Sequence, residues 1–260
     1  MPTPLTSSAV TSVNFVNVNT IDSLLTGKRW VNPLISYSFP NRESWWSTDE
    51  SLGYGAQLGI GEPWQIETDW LTSNDQVNFE RALQQWANVA NVAFTKIIET
   101  ANEVGDIRVA YTKDSDELTL AWSYLPGSSV RSGDIWVNTL GLLNAQDWNP
   151  GTISFETILH EIGHTLGLKH PFYNSDKPDT ATSLDSIINT LMSYTYKDLE
   201  GVEGNEFSFH PTTPMVLDIA AIQYIYGANT SFHSGNDTYR YSDTGTYHEA
   251  LWDAGGIDAI

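Results

Sequence analysis

The segment from His160 to His170 reads HEIGHTLGLKH. His160 and His164 lie four residues apart, so on a helix their rings leave the same face about one turn apart and can reach a single ion. Gly167 follows as a helix stop that accepts positive φ, which lets the chain swing round and bring His170 to the same point from another direction. Three imidazoles leave one coordination position open, as in a catalytic zinc site, whereas structural sites are closed by a fourth protein ligand. Glu161 is offset from His160 by about 100° around the helix, so it stands beside the ion without binding it. A carboxylate there can take a proton from zinc-bound water and later return it as an acid. A bare HExxH recurs by accident in many helices, but all five fixed positions recur by chance on the order of once in ten thousand sequences of this length. A helix whose histidines merely hydrogen-bond is the weaker explanation.

The elements that must position these residues are marked by period and punctuation. Phe155, Ile158, Leu159, Ile162 and Leu166 fall on one helical stripe with Thr152 as cap, which predicts a helix from Ile153. An earlier amphipathic helix is marked by Phe79, Leu83, Trp86 and Val89, with Ser73 or Asn74 as cap. A third has Thr213 as N-cap, Pro214 at the first helical position and Gly227 as the stop. Leu34–Phe39 alternates as a half-buried strand closed by Pro40, and Ala93–Ile98, Asp106–Tyr111, Leu118–Trp122 and Asp134–Asn138 also read as strands. A mixed sheet with helices implies α/β or α+β layering. Met1–Thr20 lacks helical periodicity and reads as a flexible leader or weakly held edge, with structure beginning near Ile21. Asn41–Trp70 has the Gly, Pro and Ser content of a long irregular connection, and Asn229–Ile260 is polar and strand-like. His210, His233 and His248 have no ligand spacing to the zinc motif and read as surface or loop histidines.

Composition narrows the function. A net charge of -20, from 32 acids against 12 bases, opposes binding to nucleic acid phosphates or anionic lipid. Most of those carboxylates form a solvated surface, and a minority suit calcium, which takes hard oxygen ligands. The absence of cysteine excludes disulfides, a thiol nucleophile, a Cys-type structural zinc site and a cysteine switch. Met1–Thr20 has neither a basic start nor a long apolar stretch, so it reads as neither a secretory signal peptide nor a membrane anchor.

HExxHxxGxxH, as it stands here, is the zinc motif of the metzincin metalloproteases. Within them the chain resembles the serralysin branch. Pro171 directly follows the third His, Leu-Met-Ser-Tyr stands at Leu191–Tyr194, and PMVLDIAAIQYIYGAN runs from Pro214 to Asn229. LQQWANVANVAFT (Leu83–Thr95) and TGKRW (Thr26–Trp30) are similar to that branch as well. The resemblance implies an α+β metzincin-like domain with a twisted mixed sheet, an active-site helix and a C-terminal helix, followed by the start of a β-roll. The corresponding division is a leader or pro-like segment at 1–20, a protease domain at 21–228 and an RTX-like calcium-binding β segment at 229–260.

The resemblance also implies residue roles. Met192 forms the Met-turn beneath the zinc. Tyr194 matches a tyrosine that ligates zinc at rest and swings away to stabilise the oxyanion. Ile135, Trp136 and Val137 belong to an edge strand that pairs with extended substrate. The carbonyls of His233, Gly235 and Gly255, with Asp237, Asp253 and Asp258, supply a calcium site. The chain ends at Ile260, before the nonapeptide repeats and C-terminal secretion signal that the resemblance leads one to expect.

The reading that follows is a secreted, extracellular, monomeric zinc endopeptidase, with protein or peptide substrates and a proteinaceous inhibitor as the partners to look for. It carries no membrane span and no nucleic acid. The alternative is a catalytically silent metzincin-fold protein that binds a partner or calcium; such a protein would be expected to lose Glu161 first.

Overall fold

The computed structural model describes residues 1–56, 62–64, 70–114, 118–141, 148–172, 184–196 and 208–260. In chain order the elements are β1 (Val10–Ser12), α1 (Asn19–Asp22), β2 (Lys28–Trp30), β3 (Leu34–Ser38), α2 (Ser73–Val89), β4 (Ala93–Lys96), β5 (Ile107–Thr112), β6 (Ala121–Ser123), β7 (Asp134–Asn138), α3 (Ile153–Thr165) and α4 (Val216–Tyr226). Helices with a mixed sheet give the α+β architecture expected from the sequence.

The main sheet has the order β4-β3-β5-β7-β6. Four of its strands run parallel, and β6 closes one side antiparallel to β7. One face, carrying Ile35, Tyr37, Ile107, Val109, Ile135 and Val137, packs into the same core as Phe79, Trp86, Phe155, Ile158 and Ile162 of α2 and α3. The other face is also covered, since Ala110 and Trp136 pack against Trp46 and Tyr54 of the long connection. Strand β3 is therefore buried along most of its length instead of half-buried. Its polar residues meet protein, not water: Ser36 Oγ donates to Asp106 Oδ2 at 2.6 Å and Ser38 Oγ to Glu99 Oε1 at 2.7 Å.

Several boundaries differ from the sequence reading for local reasons. Thr72, not Ser73 or Asn74, caps α2, because its hydroxyl accepts from the Asp75 amide while the Asp75 carboxylate accepts from the Thr72 amide. That reciprocal arrangement satisfies two otherwise orphaned donors. Helix α4 begins at Val216, with Met215 as N-cap in place of Thr213, because the Asp218 carboxylate takes the Met215 amide at 2.9 Å. Gly227 ends it as expected, at φ 87°.

Regular structure starts at Val10, ahead of Ile21, since β1 pairs antiparallel with β2. Asn229–Ile260 contains no strand among the described residues. Its segments meet through an isolated parallel bridge between Thr238 and Ala259. Within Asn41–Trp70, residues 57–61 and 65–69 lie outside the described residues, and the remainder holds one short 3-10 turn at Glu62–Trp64. No described helix is long and apolar enough to cross a membrane.

Candidate metal centre and active site

Helix α3 is anchored at both ends. Thr152 Oγ1 accepts from the Phe155 amide at 3.2 Å, as its position in the sequence predicts. At the other end, Trp30 Nε1 donates to the Thr165 carbonyl at 2.8 Å and the Tyr226 hydroxyl to the Leu166 carbonyl at 3.1 Å, occupying carbonyls that a helix terminus leaves open. Gly167 then turns the chain at φ 108°, and a Cβ there would lie 2.4 Å from the Lys28 carbonyl oxygen. The turn is clamped by the segment before β2. Thr26 donates to the Gly167 carbonyl through its amide at 3.0 Å and its hydroxyl at 2.8 Å, and Lys169 donates through its amide to Leu24 O at 2.8 Å. Lys169 Nζ also reaches Ser23 O at 2.6 Å. TGKRW is thus part of the mount for His170.

The result is convergence of three ring nitrogens. Nε2 of His170 lies 3.1 Å from Nε2 of His160 and 3.1 Å from Nε2 of His164. Tetrahedral coordination at about 2.0–2.1 Å per nitrogen separates ligand atoms by about 3.3 Å, so the spacing fits one zinc ion. The far nitrogens fix the tautomers, because His160 Nδ1 lies 2.7 Å from Leu191 O and His164 Nδ1 2.9 Å from Leu168 O. Only a protonated Nδ1 can donate to a carbonyl, which leaves the Nε2 lone pairs facing one another. Burial favours the neutral form of all three rings: it pushes His160 well below the usual range, His164 down to about 4 and, with the repulsion that protonated His164 and Lys169 would exert, His170 down to about 3. Neutral imidazole is the ligating form.

Glu161 is buried next to His160, and desolvation pushes its carboxyl up to about 7 against the opposing effect of a hydrogen bond from Ser123. Ser123 Oγ stands 2.6 Å from Glu161 Oε2. Tyr194 places its hydroxyl 2.8 Å from His170 Nε2 while remaining 61% exposed. Met192 is fully buried against α3, and a Cβ on Gly163 would meet its Sδ at 2.9 Å and the Trp86 ring at 3.1 Å. Glycine at 163 is what allows that approach.

The matrixin family model matches residues 64–203. The chain belongs to the matrixin peptidase family, in its serralysin branch. It is 37% identical over 203 residues to Serralysin C of Dickeya chrysanthemi, an alignment covering 69% of this chain and 41% of that protein. To a serralysin of Proteus mirabilis it is 30% identical over 258 residues, covering 87% of this chain and 49% of that protein. The chain thus spans less than half the length of these curated relatives.

The strand expected at the edge lies inside the sheet. Ile135, Trp136 and Val137 are not on an edge: β7 is paired with β5 on one side and β6 on the other, and all three side chains are buried. The edge is β6, Ala121–Ser123, which also carries Ser123 to Glu161. His210 lies in a loop, one of the two places expected, but not at the surface. It is buried, with Nδ1 2.6 Å from Glu156 Oε2, and His248 is half-buried beside it with Nδ1 3.2 Å from Phe209 O. His233 is exposed, as expected, 3.2 Å from Asp237.

The carboxylates of Asp237, Asp253 and Asp258 do come together, each offering an oxygen within 4.8 Å of the others. The backbone of Gly235 lies against Gly256, so the two segments that carry His233, Gly235 and Gly255 are adjacent. Sequence reasoning missed Ser123, Leu191 and Asp218. Asp218 holds the Met192 turn through Thr190 Oγ1 at 2.5 Å, the Leu191 amide at 2.7 Å and the Met215 amide at 2.9 Å. Its N3 position in α4 was the one signal that could have found it.

Proposed function

We propose that the protein is a zinc-dependent endopeptidase that hydrolyses internal peptide bonds of proteins, with Glu161 as general base. The observation that carries this is the meeting of the three Nε2 atoms of His160, His164 and His170 beside a buried carboxylate. Zinc held by those histidines supplies a Lewis acid that acidifies water and polarises the substrate carbonyl. Glu161, buried beside His160, is placed to accept a proton and hand it to the leaving amine. Ser123 occupies one side of its Oε2 and fixes its direction. Tyr194, exposed and next to His170, donates its hydroxyl to the developing oxyanion. The outer side of β6 receives an extended substrate by backbone pairing, which gives affinity without strict sequence demands. Ile135–Val137 support β6 from behind.

The protease domain is assigned to 21–228, behind a leader at 1–20 that β1 ties to β2. Asp237, Asp253 and Asp258 support calcium binding by 229–260, the start of a β-roll segment. Membership of the serralysin branch supports secretion to the extracellular medium, action as a monomer on protein substrates, and control by a proteinaceous inhibitor. The test is metal analysis joined to casein digestion. We expect one zinc per chain, digestion abolished by chelator and restored by zinc, and at least about a hundredfold loss in Glu161→Gln with zinc retained. Undiminished digestion by Glu161→Gln would overturn the assignment of the base. Zinc-loaded wild-type protein that cleaves no peptide would overturn the protease reading.

A further inference from the structure

Glu156 stands one turn ahead of His160 on α3 and is only 6% exposed, yet it lines a cavity that opens at the metal centre. The cavity holds about 390 Å³. Leu118, Leu120, Ala121 and Ile153 give it apolar walls, while His160 and Glu161 also line it, so whatever fills it adjoins the reacting bond. The Glu156 carboxylate is fixed in place: Oε2 lies 2.6 Å from His210 Nδ1 and Oε1 accepts the Tyr196 hydroxyl at 3.1 Å. His210 is itself buried and donates its amide to Gly151 O at 2.9 Å. A carboxylate offers about four acceptor sites, and these partners use two.

We infer that Glu156 sets the specificity of this cavity, selecting a substrate side chain with an aliphatic stem and a hydrogen-bond-donating tip. Lys and Arg rank first, Gln next, and Leu last. This rests on the endopeptidase reading and names the residue that would flank the scissile bond. An apolar side chain filling the cavity would strip water from the remaining carboxylate lone pairs and return nothing, which is costly for a charged acceptor. A long side chain can lay its methylenes along the apolar walls and bring its donor to Glu156. The protein's charge of -20 adds a bias toward cationic substrates. His210 and Tyr196 act as positioning residues by holding the carboxylate in one rotamer.

The experiment uses the zinc-loaded full chain and quenched fluorescent peptides that differ only at the residue on either side of the scissile bond, with Leu, Gln, Lys or Arg in turn. On one of the two sides, kcat/KM for Lys and Arg should exceed that for Leu by at least about tenfold, the value of one charge-assisted hydrogen bond. Glu156→Gln, nearly isosteric, should bring Lys level with Gln, with melting temperature and zinc content reporting that the fold is kept. Tyr196→Phe, which removes one of the two contacts that hold the carboxylate, should narrow the preference without abolishing it. Calorimetric binding of the same peptides to the Glu161→Gln protein gives the order without turnover. Equal cleavage of Lys and Leu peptides, or a Lys preference that survives Glu156→Gln, overturns the inference. The binding order Lys above Leu with no cleavage by wild type would uphold it and overturn the endopeptidase reading instead.

Discussion

Asp218 ties Thr190 and Leu191, whose carbonyl meets His160, to the start of α4, and replacing it tests how far His160 depends on that tie. Its carboxylate is fully buried and accepts three hydrogen bonds, from Thr190 Oγ1, the Leu191 amide and the Met215 amide. A hydrogen bond to a charged group contributes about 1.5–3 kcal/mol, and donors buried without a partner cost a similar amount. Contacts that share one group are not additive, so Asp218→Ala is expected to lose about 3–6 kcal/mol, a large part of the 5–15 kcal/mol typical of a domain. Asp218→Asn keeps one acceptor oxygen and turns an amide nitrogen towards donors, so about 1.5–3 kcal/mol is expected for it. Asn is therefore the working variant. The Leu191 carbonyl orients His160 through Nδ1, and loss of such an outer partner usually lowers metal affinity by about 10–100-fold. Urea denaturation of the metal-free protein measures the first effect, and chelator competition measures the second. A stability loss below about 1 kcal/mol, or full loss of stability with zinc affinity unchanged, would refute the chain of reasoning from Asp218 through Leu191 to His160.

Asp134, buried under Tyr54, has its carboxyl pushed up to about 7 by desolvation, against the lowering influence of Arg108 and the Tyr54 hydrogen bond. The folded state therefore holds a proton that the unfolded chain releases near pH 4, and the stability this gives is lost as pH rises from about 4 to 7, at about 1.4 kcal/mol for each pH step of one across that window. Asp134→Asn should gain on wild type between pH 5 and 8 in urea midpoints, and a flat difference across that range would reject the raised carboxyl. Tyr194→Phe should lower kcat roughly ten- to a thousandfold with KM nearly unchanged in steady-state peptide hydrolysis, whereas a rise in KM alone would remove it from the oxyanion. Calcium should raise the melting temperature in scanning calorimetry, Asp253→Ala should abolish the rise, and both proteins should keep zinc because its ligands lie on another part of the chain.

What the sequence disclosed and what it hid divide by distance along the chain. The spacing of His160 and His164, the stop at Gly167 and the cap at Thr152 are consequences of helix geometry within a few residues, and each is found where the spacing puts it. The Tyr194 hydroxyl stands 2.8 Å from His170 Nε2. Strand periodicity located β7 but carried no information about its neighbours, so its interior place in the sheet and the edge position of β6 were both hidden. Ser123 meets Glu161 from 38 residues away and His210 meets Glu156 from 54. A serine in a short strand and a histidine in a loop give no local sign of such partners. The cap of α2 was missed by a single residue because two serine- and asparagine-type candidates stood beside Thr72, and only the reciprocal bond with Asp75 decides among them.

The open side of β6 has a consequence for how the protein behaves at high concentration. Among the described residues β6 has β7 on one side and no strand on the other. Backbone groups without a strand partner are open to the edge of another molecule, the usual route to irreversible sheet stacking. Two properties counter that. The strand is three residues long, too short to hold a second sheet by itself, and each copy carries a charge of -20. Repulsion between copies acts over about 8 Å at physiological ionic strength and only about 3 Å in molar salt. Colloidal stability is thereby tied to ionic strength, with self-association expected as salt is raised: brevity and charge together keep the open strand from lasting pairing.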